Sequence, residues 1–162
     1  VDVGTLSELV SGVKAIAQRP VIVKLSPNVT SIEPFARAAE QSGADAISLV
    51  NTFVSLAVDV KARRSRIGAG YGGLSGPAIK PIALRMVHQA AKVVKIPVIG
   101  IGGVASGEDV AEYLMAGASL VEVGTATFWN PSAPLEIARE LEALLPELGV
   151  ANPAELIGKL NL

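Results

Sequence analysis

A chain of 162 residues, half of them hydrophobic and 18% charged, can bury one sizeable core without a second domain, so residues 1–162 are expected to form a single unit. Fourteen basic against fifteen acidic residues leave a formal charge of −1, which gives no electrostatic reason to expect nucleic acid or an anionic membrane as a partner. The absence of cysteine excludes disulfides, thiolate metal sites and a cysteine nucleophile within this chain, and a lone histidine argues against a histidine-built metal centre.

Taken in chain order, the pattern predicts a helix over Leu6 to Gln18 and then a strand in "PVIVKLS" (Pro20 to Ser26). Ile32 to Gln41 follows as a helix with Ile32, Phe35, Ala36 and Ala39 on one face and Thr30 or Ser31 as its cap. "ADAISLV" (Ala44 to Val50) is the second strand. After it come 26 residues, Asn51 to Gly76, long enough for a loop to be functional. They contain "VSLAVDVKARR", which suits a short strand or hairpin, and a basic cluster, Lys61 to Arg66, expected to be solvated. Pro77 to Val94 predicts one long helix, with Met86 in its apolar stripe and His88 at the boundary. "IPVIGIG" (Ile96 to Gly102) is the third strand; Ser106 then caps a helix whose first turn carries Glu108 and Asp109. "ASLVEVG" (Ala118 to Gly124) is the fourth strand, and a helix follows Pro134, with Phe128 and Trp129 expected to wedge it in place. Gly43 and Gly117 suit the left-handed position that ends a helix. No signal-peptide pattern and no apolar run approaching ~18 residues are present, so a soluble, cytoplasmic protein is expected.

Strands alternating with helices imply an α/β protein with a parallel sheet. Two architectures fit: an open doubly wound sheet, or a TIM (β/α)8 barrel. A barrel normally takes about 250 residues and eight strands, so four βα units are half of one. Parallel α/β folds place their sites at the carboxyl ends of the strands. Those ends collect Lys24 and Ser26, then Asn51 and Thr52, then Gly102 and Gly103, then Gly124 and Thr125. The two glycine corners predict a phosphate seat made of backbone N–H groups, with a phosphate oxygen approaching where a Cβ would collide; tight βα turns are the plain alternative. Lys24 stands among aliphatics, where an ammonium is costly without a partner, so it is expected to face an anionic ring or form a Schiff base unless its strand lies at an edge. Asn51 and Thr52 supply donor and acceptor groups for a planar polar ligand, or a simple Asx turn. No residue stands out as a general base.

The segments "KLSPN" (Lys24 to Asn28), "VNT" (Val50 to Thr52), "GGLSGPAIKP" (Gly72 to Pro81), "GIGG" (Gly100 to Gly103) and "VGTA" (Val123 to Ala126) resemble the dihydroorotate dehydrogenases, most nearly the class 1B catalytic subunit, over nearly the whole chain. "GGLSGPAIKP" is the most specific of them. The resemblance implies the C-terminal half of an FMN-containing (β/α)8 barrel that oxidises dihydroorotate to orotate in pyrimidine (UMP) synthesis. Lys24 would then face the isoalloxazine ring, and Val50 would touch FMN through its backbone. Gly76, Gly102, Gly103, Gly124 and Thr125 would hold the ribityl-phosphate, and Asn51 and Thr52 the substrate. The family's catalytic base is a cysteine in an "SCPN"-like loop upstream of Val1, so no catalytic base is expected in this chain, and the isolated chain is expected to be inactive. Ser55 stands where the family pattern has glycine, which bears on the path of the long loop. The implied partners are dihydroorotate and orotate, the missing N-terminal half or a second copy, and an FAD/iron–sulfur electron-transfer subunit bound to a homodimer. The alternatives are a non-catalytic FMN- or phosphate-binding half-barrel module, and another phosphate-binding barrel enzyme.

Overall fold

The computed structural model describes residues 2–162, which form an α/β layer around a four-stranded parallel sheet. Helix α1 (Val3–Ile16) starts where the Asp2 carboxylate accepts the N–H of Thr5. Strand β1 (Ile22–Lys24), helix α2 (Glu33–Gln41) and strand β2 (Ala46–Leu49) follow. Neither Thr30 nor Ser31 caps α2. Its cap position is taken by Ile32, which makes no side-chain cap bond, and the Ser31 hydroxyl donates instead to the Glu33 carboxylate. Pro34 in the first turn needs no hydrogen-bond partner there, which makes the missing cap cheap.

The long connection after β2 is largely structured. Strand β3 (Phe53–Ser55) and strand β6 (Gly72–Leu74) form an antiparallel pair, and between them β4 (Val58–Asp59) pairs with β5 (Arg64–Ser65). Ser55 sits inside β3 opposite Gly72, and its hydroxyl donates to the carbonyls of Phe53 and Gly72. The predicted helix from Pro77 divides into a 3-10 turn (Pro77–Ile79) and α3 (Lys80–Ala91). Strand β7 (Val98–Ile101), helix α4 (Gly107–Met115), strand β8 (Leu120–Glu122), a 3-10 turn (Thr125–Phe128) and α5 (Ala133–Leu144) complete the main body, with a final 3-10 turn at Pro153–Leu156. Gly43 (φ +92°) and Gly117 (φ +107°) take the left-handed conformation that turns α2 and α4 directly into strands.

Strand order in the sheet is β1-β2-β7-β8, the order of the chain, and every pairing is parallel. Right-handed crossovers that never reverse direction put all their helices on one face, as in a barrel wall and unlike a doubly wound sheet. Val23, Ile47 and Val98 are register partners on the helix-covered face, where they join Ala36, Met86, Val87 and Tyr113 in the core. Lys24, Ser48, Ile99 and Leu120 are register partners one residue on and share the opposite face. That face is covered at the middle of the sheet and open at its two margins. Among the described residues, no helix is long and apolar enough to cross a membrane.

Candidate functional site

The carboxyl ends of β1, β2, β7 and β8 open on one cavity of about 350 Å³. Lys24 lines it from β1, and Val50, Asn51 and Thr52 from the end of β2. Gly76 enters from the corner before α3, Gly102 and Gly103 from the corner after β7, and Gly124 and Thr125 from the corner after β8. All the site residues singled out in the sequence except Ser26 therefore meet at one place, joined by Ser75, Ile79, Ile101, Thr127 and Phe128.

Backbone donors dominate the helix-ward side. No acceptor among the described residues takes the N–H of Gly103, Gly124 or Thr125. Native structures rarely leave such groups unpaired, so these amides are free to serve a ligand.

The glycines are bare for reasons the sequence does not display. A Cβ on Gly100 would lie 2.5 Å from the Tyr113 ring, and one on Gly102 would lie 2.9 Å from the Ala83 methyl. At Gly103 it would meet the Gly76 carbonyl oxygen at 2.8 Å. Gly102 and Gly103 also have φ of +143° and +72°, where an L side chain is strained. The chain's own packing is thus already enough to keep Gly102 and Gly103 bare, without a phosphate. Gly124 differs, because a Cβ there would meet only Ile101 Cδ1 at 3.8 Å, an ordinary contact on the cavity side.

Lys24 is not the buried cation that its aliphatic neighbours suggest. β1 is an edge strand covered on one face, and Lys24 stands exposed on the other, lining the cavity with no ion pair among the described residues. The Asn51 side chain accepts the N–H of Thr52, the local turn expected there, while both residues keep their cavity exposure. The corner is held from below by Asn28, whose amide donates to the Thr52 carbonyl at 3.1 Å and accepts the N–H of Val54 at 3.0 Å. Phe128 and Trp129 do not wedge α5: they are 86% and 58% exposed, turned outward by the 3-10 turn after Gly124, and Phe128 forms part of the cavity rim.

Two residues supporting the site, Lys80 and Tyr113, escaped the sequence reading, which placed Asp109 only in the first turn of its helix. Lys80, at the start of α3, pairs with Asp109 and, at 2.8 Å, with Glu112, both on α4. Asp109 also accepts the N–H of Ala105 at 2.7 Å and of Ser106 at 3.0 Å, completing the capping box that its spacing from Ser106 signals. Burial alone would raise the Asp109 pKa, but Lys80, the Ala105 amide and the Ser106 side chain hold it below the usual carboxylate range. Burial likewise works against the Lys80 ammonium, and the two carboxylates outweigh it, so its pKa is raised. Tyr113 is fully buried and donates to the Gly102 carbonyl at 2.7 Å; its only sequence signal is a polar-tipped aromatic on the core face of α4. His88 lies apart from the cavity, half-buried, with Nδ1 3.2 Å from the Ala116 carbonyl oxygen.

A family model described as dihydroorotate dehydrogenase matches residues 3–145. The chain is 66% identical over 156 residues to the "Putative dihydroorotate dehydrogenase A (fumarate)" of Solibacter usitatus, covering 96% of this chain and 51% of that protein. It is 52% identical over 160 residues to the catalytic subunit of dihydroorotate dehydrogenase B (NAD(+)) of Trichlorobacter lovleyi, covering 99% and 53%. To the catalytic subunit of the same name in Geobacter metallireducens it is 53% identical over 154 residues, covering 95% and 50%. The chain spans about half the length of these curated relatives.

Proposed function

The chain belongs to the dihydroorotate dehydrogenase family, flavin-dependent oxidoreductases of pyrimidine biosynthesis built on a TIM barrel, and from that premise we propose that it supplies the C-terminal half of an FMN site and part of an orotate site. One observation carries this: four successive βα corners of a singly wound sheet open on one cavity that joins free amide donors to a lysine. The residues fit FMN in kind. Gly76, Gly103, Gly124 and Thr125 would present amides and a hydroxyl to a phosphate, and Lys24 would present a positive charge to the ring. Val50 touches the cofactor through its backbone, and Asn51 and Thr52 hold the pyrimidine's amide or carboxylate.

A bound flavin would supply the hydride acceptor for oxidation of dihydroorotate. The chain's own part is to bind and orient. Lys24 would stabilise negative charge on the ring and the amides would fix the phosphate, while Asn28 holds the Asn51–Thr52 corner in register. The cysteine base that the family resemblance implies is not among these residues.

The test is flavin colour and its bleaching. Purified or reconstituted chain is expected to show FMN absorbance, and dihydroorotate is expected to bleach it only after the N-terminal half is added. A chain that takes up no flavin, alone or with that half, overturns the proposal and favours another phosphate-binding barrel enzyme. A second reading, a non-catalytic FMN- or phosphate-binding module, predicts colour without bleaching even in the completed barrel. The relatives' names divide between fumarate and NAD(+) as acceptor. We assign the NAD(+) type: a cytoplasmic homodimer passing electrons to an FAD/iron–sulfur subunit. Direct reduction of fumarate by the completed barrel would reverse that assignment.

A further inference from the structure

The Gly102 carbonyl and the Gly103 N–H belong to one peptide plane, and that plane is trans. In a trans peptide the C=O and the N–H point to opposite sides. Here the carbonyl is fixed on the core side, where the Tyr113 hydroxyl donates to it at 2.7 Å. The N–H of Gly103 must then point away from α4, toward the cavity that Gly102 and Gly103 line, and no acceptor among the described residues takes it.

We propose that Tyr113 is a positioning residue: by anchoring the Gly102 carbonyl it presets the Gly103 N–H as a donor to an anionic oxygen of the ligand. This rests on the phosphate seat proposed above, with the FMN phosphate as the acceptor. The surrounding sequence is arranged to let the phenol reach. Gly100 leaves the slot for its ring, since a Cβ there would lie 2.5 Å from Cδ1. Gly102 leaves room for its hydroxyl, 3.3 Å from where a Cβ would stand. Gly103 then closes against the Gly76 corner. The three glycines of "GIGG" therefore serve one device, in which a side chain eleven residues downstream sets a backbone donor. Burial first, and the Asp109 and Glu112 carboxylates second, push the phenol's pKa up, so the hydroxyl stays a donor across ordinary pH.

Tyr113→Phe removes the hydroxyl and keeps the ring that fills the Gly100 slot. Titrating wild-type and variant chain, each completed with the N-terminal half, with FMN and with riboflavin, which lacks the phosphate, separates positioning from stability. FMN binding is expected to weaken about tenfold, the scale of one charge-assisted hydrogen bond. Riboflavin binding should stay within about twofold. Equal loss for both ligands would mean a structural role only and overturn the inference, as would unchanged FMN binding. A second measurement does not depend on the variant folding: in the 15N–1H spectrum of the wild type, the Gly103 amide should move on adding FMN and stay still with riboflavin. An unmoved Gly103 amide in the FMN-saturated protein overturns the inference while leaving the site. Wild-type chain that binds riboflavin and FMN equally overturns the phosphate seat, and the inference with it.

Discussion

A Cβ at Gly103 would press on the Gly76 carbonyl oxygen at 2.8 Å and force an L residue to φ +72°, whereas one at Gly124 would meet nothing nearer than 3.8 Å. The two glycines of neighbouring corners should therefore fail differently. Gly103→Ala is expected to cost about 1–3 kcal/mol of stability, with or without ligand. Gly124→Ala should change stability by no more than about 0.5 kcal/mol yet weaken FMN binding, because the methyl takes up cavity space. Thermal unfolding and flavin titration of the pair check this; a Gly124→Ala chain with unaltered FMN affinity removes that corner from the site. Lys24 makes a third residue-level case. Exposed and unpaired among the described residues, it contributes little to folding, so Lys24→Met should leave the unfolding midpoint in place and make the potential of bound flavin more negative. An unshifted potential would show that the ammonium does not face the ring.

Between elements, the firmest tie near the site is α3 to α4 through Lys80, Asp109 and Glu112. Asp109 has a folded pKa below its unfolded one, so its contribution is fully present above the unfolded carboxylate value and is lost as pH falls through the folded value. Lys80 is raised, so its contribution is fully present below the ordinary lysine value and disappears as pH climbs through the folded one. Wild-type chain should therefore lose unfolding temperature in acid, below the normal aspartate range. Asp109→Asn should be less stable at neutral pH and show a flatter acid limb. An unchanged acid limb in that variant would mean the carboxylate is not carrying the load. Half of this tie is legible locally, since Ser106 and Asp109 have capping-box spacing. The other half is not, because Lys80 lies 29 residues before its partner, on a different helix.

For the molecule as a whole, the face opposite the helices sets the behaviour. Ile22 on β1 is 54% exposed and Leu120 on β8 is 62% exposed, at the two margins of a sheet whose outer strands have unpaired edges. Such edges and apolar positions favour a further strand partner. The chain alone should therefore self-associate in light scattering, and the N-terminal half should replace that association with a defined complex. A dispersed monomer at high concentration would count against the barrel-half proposal.

How much could be read in advance follows the range of the forces involved. The sequence by itself determined the α/β alternation, the parallel sheet, the left-handed glycines that end α2 and α4, and the strand-end residues that share a cavity, Val50 and Gly76 being added only by the family resemblance. These depend on propensity, period and turn chemistry within a few residues of chain. Only the tertiary structure decided that Lys24 is exposed rather than buried, that Phe128 and Trp129 turn outward, and that α2 goes without a side-chain cap. It alone gave the reason why Gly100, Gly102 and Gly103 are bare. Each of those depends on which strand lies at an edge or which distant side chain arrives, as Tyr113 does at Gly102, and packing between remote segments leaves no periodic mark on the chain.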